Sequence, residues 1–207
     1  MTHAATRRRR RPRQARAQQT VEALLDAVAR VIKRHGVDAV TTNRIAKVAG
    51  ISIGSVYQYF PDKAAIFVAL HERHVDQIAR ALEAALVAHA EAPLAGLVAA
   101  LVDVMVASHR GDPELHELLF REVPHRAEGA RGFAHRLRGA LRLALLAKAA
   151  ELPAGIDLDR AVFVVAHMIE GLSHAAVLER PARMSLTTAK HEVVRAVLAY
   201  LRSAARA

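Results

Sequence analysis

The residues best suited to a specific chemistry lie between Thr41 and Lys63. Three of the chain's eight aromatic residues, Tyr57, Tyr59 and Phe60, fall within four positions. Ser55, Gln58 and the two tyrosines carry the hydrogen-bonding groups that read duplex DNA. A glutamine amide is bidentate toward adenine, and a serine bonds a phosphate or a base edge. A tyrosine bonds phosphates while its ring packs on sugar or on a thymine methyl. Lys63 stands at the start of the next helix, where the side chain and the helix end both attract a phosphate. On a helix Tyr57 and Tyr59 point about 200° apart, so both cannot be core and at least one faces outward. Phe60, one turn beyond Val56, is expected beneath the turn.

Two short helices must position these groups. The first is expected over Thr42–Ala49, capped by Thr41 or Thr42 and ended by Gly50. Ser52 is suited to cap a second over Ile53–Tyr59, which Pro61 breaks. Ala46, Ala49, Gly50 and Gly54 are small enough for the two helices to pack at a steep angle. The second helix is then available to lie in a major groove. Before them, about Ala15–His35 carries one apolar stripe (Val21, Leu24, Leu25, Val28, Val31, Ile32) and stops at Gly36. After them, Asp62 caps a long helix from Lys63 to about Ala90.

The charge distribution agrees. The net charge is +10, and residues 1–63 hold 13 Lys/Arg against 4 Asp/Glu, a net of +9. The remainder holds 17 against 16. A basic third on a nearly neutral body points to a polyanionic partner. Hydrophobic residues make up 53%, enough to build a core, which excludes a wholly disordered chain. No cysteine is present, which excludes disulfide scaffolds, thiolate zinc and iron–sulfur sites and thiol nucleophiles, and fits a reducing compartment. The basic start is followed by charged amphipathic sequence and not by an apolar signal core. Apolar stretches such as Ala92–Val102 and Ala161–Ile169 are far shorter than the roughly 20 residues of a membrane span. A cytoplasmic protein without a membrane partner is expected.

No stretch alternates with strand periodicity, so the fold class is all-α. Further helices are expected at about Leu94–Ser108, Pro113–Glu122, Ala130–Glu151, Leu158–Leu178 and Leu186–Ala204, nine in total, with short loops suited to a bundle.

The run from Thr41 to Lys63 reads T-x-x-I-A, then A-G-I-S, then G-x-V-Y-x-Y-F-x-x-K. It resembles the DNA-binding signature of the TetR family of bacterial transcriptional regulators over about Ala15–Leu70. Residues 1–14 read as a disordered Arg-rich tail that goes beyond the family's minimal pattern. The resemblance implies a three-helix helix-turn-helix domain (15–62) and a C-terminal helical bundle for ligand binding and dimerisation (63–207). It implies that Thr42 caps its helix and contacts a phosphate, and that Ser52 caps the recognition helix. Ile53, Gly54, Ser55, Tyr57, Gln58 and Tyr59 would face the groove and its walls. Lys63 would clamp a phosphate, and Arg44 would reach a base or a phosphate. Ile53 stands where many members carry a polar or basic residue; there it either touches thymine methyls or is buried. The tail is positioned to enter a neighbouring minor groove.

The expected function is that of a ligand-responsive regulator, more specifically a repressor, binding a pseudo-palindromic double-stranded operator as a homodimer. The last two helices are the dimer candidates, through Ala161, Val162, Val165, Met168, Ile169, Leu172 and Ala176 and through Val193, Val194, Val197, Leu198 and Leu201. A small-molecule effector would lie against Met105, His109, Phe120, Phe133, Leu137, Leu141, His167 and Met168, residues equally suited to plain core. The helix from Lys63 is the natural lever between domains. Two rivals are a non-specific architectural nucleic-acid binder and a helical metal-dependent enzyme. His167, Glu170 and His174 share a helix face, as do His71 and His74, yet no third ligand is identifiable. No P-loop, G-x-G-x-x-G or H-E-x-x-H occurs; Asp157 and Asp159 suit helix capping. No catalytic residue, metal or cofactor is assigned.

Overall fold

The computed structural model describes residues 10–111 and 128–203, and side chains within 16–111 and 135–203. Eight α-helices are present among the described residues, and no strand. They are α1 (Arg10–His35), α2 (Thr42–Ala49), α3 (Ile53–Tyr59), α4 (Lys63–Ala88), α5 (Leu94–Gly111), α6 (Glu128–Ala147), α7 (Leu158–Leu178) and α8 (Leu186–Ser203).

Two compact units divide within α4, the first ending at His71 and the second beginning at Glu72. In the first unit α1 packs on α2, and α2 on α3. The stripe expected on α1 forms its core side: Leu24, Leu25, Val28, Val31 and Ile32 are all buried. Ile45 of α2, Val56 of α3 and Ile66 and Leu70 of α4 are buried with them. Each such side chain contributes about 1.5–3 kcal/mol through the apolar surface it removes from water.

In the second unit α5 packs on α7 and α8, and α7 packs on α6 and α8. By length and composition α5 and α7 could each cross a bilayer. Here both serve as core helices, burying Leu97, Leu101 and Val102 on one and Val162, Val165 and Ile169 on the other.

Several boundaries differ from expectation for physical reasons. Helix α1 begins at Arg10, inside the segment expected to be a disordered tail. Pro12 lies in its first turn, where no backbone N–H has an intrahelical partner to lose. Helix α5 runs past Ser108 to Gly111. Ser108 Oγ and His109 Nδ1 donate back to the carbonyls of Val104 and Met105 at 2.9 and 2.6 Å, and His109 is buried. Helix α6 ends at Ala147, and a separate 3₁₀ turn covers Ala149–Glu151. The break turns the Glu151 carboxylate onto the Leu94 N–H at 2.9 and 3.1 Å, capping α5. Pro153 also biases Leu152 toward the extended backbone it adopts. The helix expected over Pro113–Glu122 lies outside the described residues.

Candidate nucleic-acid interface

The α2–turn–α3 segment is assembled by local hydrogen bonds. Thr41 is extended at the head of α2, and its hydroxyl accepts the Arg44 N–H at 3.2 Å. The cap is therefore Thr41, which corrects the assignment of that role to Thr42. A cap has non-helical backbone, and Thr42 is already helical. Gly50 ends α2 with φ 71°, a left-handed conformation costly for any residue with a Cβ. Ser52 then caps α3 as expected: its hydroxyl accepts the Ser55 N–H at 3.1 Å. Asp62 accepts the Ala65 N–H at 2.8 Å and opens α4.

With both ends fixed, the faces of α3 are decided by what packs beneath. Val56 is fully buried and Phe60 is 6% exposed, so the phenylalanine is core, as expected. Ile53, Gly54, Tyr57 and Gln58 face outward, and Tyr59 and Ser55 are half-buried at the sides. Of the two tyrosines, Tyr57 is the outward one, at 53% exposure. Ile53 is 43% exposed, which resolves its two alternatives in favour of the outer face. Its hydroxyl 3.4 Å from that of Thr42, Tyr57 spans from α3 to the start of α2.

The remaining candidates are partly committed within the chain. Ser55 Oγ lies 2.8 Å from Ser52 Oγ, so the two hydroxyls share a hydrogen bond. Arg44 Nη1 donates to the Ala39 carbonyl at 3.3 Å, across a 3₁₀ turn over Val37–Ala39 that the sequence reading missed. Lys63 is exposed, with its ammonium 5.2 Å from the centre of the Phe67 ring. That contact holds the lysine's stem along the surface while its charge stays in water.

In the second unit the expected effector residues separate. Met105, His109 and Leu141 are buried, and Leu137 and Met168 are half-buried against the same core. His167 is exposed instead: its ring lies 4.4 Å from Phe163, and its Nδ1 donates to the Phe163 carbonyl at 2.7 Å. It is thus turned from the core face that holds Ile169 and Ser173. The Phe133 side chain and all of Phe120 lie outside the described residues. An open groove of about 400 Å³ is lined by Asp103, Val106, Arg110, Leu186 and Lys190, among others, and touches none of the eight.

Burial, with His174 adding to it, holds His109 below the ordinary imidazole range. The His109 and His174 rings meet edge to face at 5.5 Å, so His174 and His167 serve different neighbours. No group of metal-ligating side chains occurs among the described residues. Asp157 caps α7 by accepting the N–H groups of Asp159 and Arg160, and the Arg160 bond lowers its carboxyl below the usual range. Most of the expected dimer residues face inward: Ala161, Val162, Val165, Ile169, Ala176, Val193, Val197 and Leu201 are buried in the chain's own core. Leu172 is exposed and Met168, Val194 and Leu198 are half-buried.

An all-helical chain with a basic helix-turn-helix and an outward second helix defines a DNA-binding protein. Residues 24–70 match the family described as bacterial regulatory proteins, tetR family, and residues 93–201 match the tetracyclin repressor-like C-terminal domain. The chain belongs to the TetR family. It is a DNA-binding transcriptional regulator and not an enzyme. It is 31% identical over 124 residues to the nucleoid occlusion factor SlmA of Actinobacillus pleuropneumoniae, covering 57% of this chain and 59% of that one. The match thus spans less than two thirds of the relative's length. A TetR-family regulator from Mesorhizobium loti superposes with a TM-score of 0.66 at 20% identity, over 90% of this chain and 96% of that one. The regulator FadR of Bacillus subtilis, solved in complex with stearoyl-CoA, gives 0.63 at 20% identity, over 89% and 99%. These two structures are similar to this chain in fold.

Proposed function

We propose that the protein is a ligand-responsive repressor that binds a pseudo-palindromic operator as a homodimer, with α3 seated in the major groove. The observation that carries this reading is the outward face of α3, where Ile53, Gly54, Tyr57 and Gln58 are exposed together on the basic first unit. Thr42, Arg44, Ser52, Ser55, Tyr59 and Lys63 flank that face and supply phosphate contacts around the bases it reads. The Arg-rich residues 1–9 add sequence-independent attraction to the duplex.

Two copies are needed because one seven-residue helix spans only a half-site; a two-fold pair reads two half-sites in successive major grooves. The exposed Phe163 and Leu172 on α7 support a helix-pair interface between copies. The effector belongs in the second unit, with Met105, Leu137, Leu141 and Met168 as candidate contacts. The stearoyl-CoA in the FadR structure supports a small-molecule role for this fold. The effector acts by binding two arrangements of the dimer with different affinity, α4 transmitting the change.

Selection of bound duplexes from a random pool tests the reading. A recovered site with two symmetric halves about one helical turn apart is expected. Removing residues 2–9 then weakens binding to every duplex alike, whereas Tyr57→Ala or Gln58→Ala erodes the preference among duplexes. Binding with a steep salt dependence and no preferred duplex would favour an architectural binder instead.

A further inference from the structure

Ile53 and Tyr57 stand at i and i+4 on α3 and are 43% and 53% exposed. They form an apolar pair in a unit whose first 63 residues hold 13 basic and 4 acidic side chains. The core beneath is already closed by Val56 and Phe60, so Ile53 is not needed there. An apolar pair within a basic surface matches a partner that is anionic at its rim and apolar at points inside. The major groove of duplex DNA has this character, with phosphates along its edges and thymine 5-methyl groups on its floor. An isoleucine side chain has no donor or acceptor. The apolar feature it can distinguish on a base edge in that groove is the thymine methyl.

Gly54 supports the same geometry. A Cβ built there would meet only Ser52 Oγ, at 3.8 Å, so packing within the chain does not require glycine. Even in the first turn of a helix, glycine loses more conformational freedom on folding than alanine does. What its bare backbone permits is close approach of α3 to another surface, which brings the short, branched Ile53 within reach of the groove floor.

We propose that Ile53 is a specificity-determining residue that reads one thymine in each half-site through its 5-methyl group. This rests on the seating of α3 in the major groove proposed above.

The test uses the full chain and the duplex it selects from a random pool, resynthesised with uracil in place of thymine at one position per half-site at a time. Uracil removes the methyl and keeps every hydrogen-bonding group. The wild-type protein is expected to lose about fourfold in affinity per half-site at one position, the equivalent of one buried methyl. Ile53→Ala is expected to bind the parent duplex more weakly and to lose nothing further from uracil at that position, while its response elsewhere matches wild type. Circular dichroism checks that the variant is folded, and the wild-type uracil series stands without it. Indifference of the wild type to uracil at every thymine overturns the proposal. So does an Ile53→Ala variant that keeps the wild-type sensitivity. A pool with no preferred duplex overturns the groove reading and this proposal with it, whereas a preferred but uracil-indifferent duplex overturns only this one.

Discussion

The hydroxyls of Thr42 and Tyr57 lie 3.4 Å apart, joining the first residue of α2 to the outward face of α3. At that length between exposed groups the bond adds little to stability. What it does is restrict the direction of a ring that would otherwise swing in solvent. Tyr57→Phe is expected to leave the unfolding midpoint unchanged within about 0.5 kcal/mol and to weaken binding to the selected duplex about two- to tenfold. Thr42→Val is expected to act the same way, and the double variant to lose less than the two losses combined. Fully additive losses in a double-mutant cycle would show that the two hydroxyls act separately.

Thr41 and Thr42 have distinct jobs despite being neighbours. Only Thr41 holds a backbone N–H of α2, that of Arg44. Thr41→Ala is expected to cost about 1 kcal/mol of stability, seen as a lower urea midpoint. Thr42→Ala should leave the midpoint near wild type and show its effect in DNA affinity. Equal destabilisation by both would refute the division.

Gly54→Ala separates folding from binding. No atom nearer than 3.8 Å opposes a new Cβ and the backbone is helical, so the variant is expected to be more stable by up to about 1 kcal/mol. Its affinity for the selected duplex is expected to fall, because the added methyl points outward. A variant that gains stability and keeps full affinity would mean that the α3 backbone does not approach the DNA closely.

His109 makes stability depend on pH. Its folded-state pKa lies below the ordinary 6.5, first through burial and then through His174. Unfolding releases the imidazole to take up a proton near pH 6.5, while the folded chain resists protonation until lower pH. Its contribution is therefore complete above about 6.5 and is lost as pH falls below that value. Urea midpoints at about pH 7.5 and 5.5 should differ more for wild type than for His109→Gln. Equal differences would assign the pH dependence to other groups.

Phe163 and Leu172 are 54% and 39% exposed on α7. If a second copy covers them, Phe163→Glu combined with Leu172→Glu should shift the mass from dimer to monomer by light scattering, with helical content retained. DNA affinity should fall with it, since one reading helix remains per particle. A wild-type monomer, or a dimer untouched by the substitutions, would direct the interface elsewhere.

Much of the reading segment was legible in the sequence. The bounds Thr42–Ala49 and Ile53–Tyr59 and the roles of Gly50, Ser52 and Asp62 were each expected and each occur. These signals act over two to four residues, through caps, a left-handed glycine and the stop at Pro61, so neighbours along the chain carry them. The same holds for α7, whose bounds Leu158–Leu178 follow from Asp157 and the break before Pro181.

Other features depend on residues far apart in the chain. Periodicity marks Val165, Ile169 and Val197 as apolar, but only the packing of α7 and α8 on α5 and on each other makes them this chain's core and leaves Leu172 and Phe163 outside. His109 and His167 look alike as helical histidines. One is buried against His174, 65 positions away, and the other lies on an open face with Phe163. The end of α6 was likewise decided by Glu151 reaching Leu94, 57 positions earlier. Local chemistry therefore determined where the helices of the reading head begin and end. Burial sums contacts from distant segments, so which side chains face outward was decided only when those segments packed together.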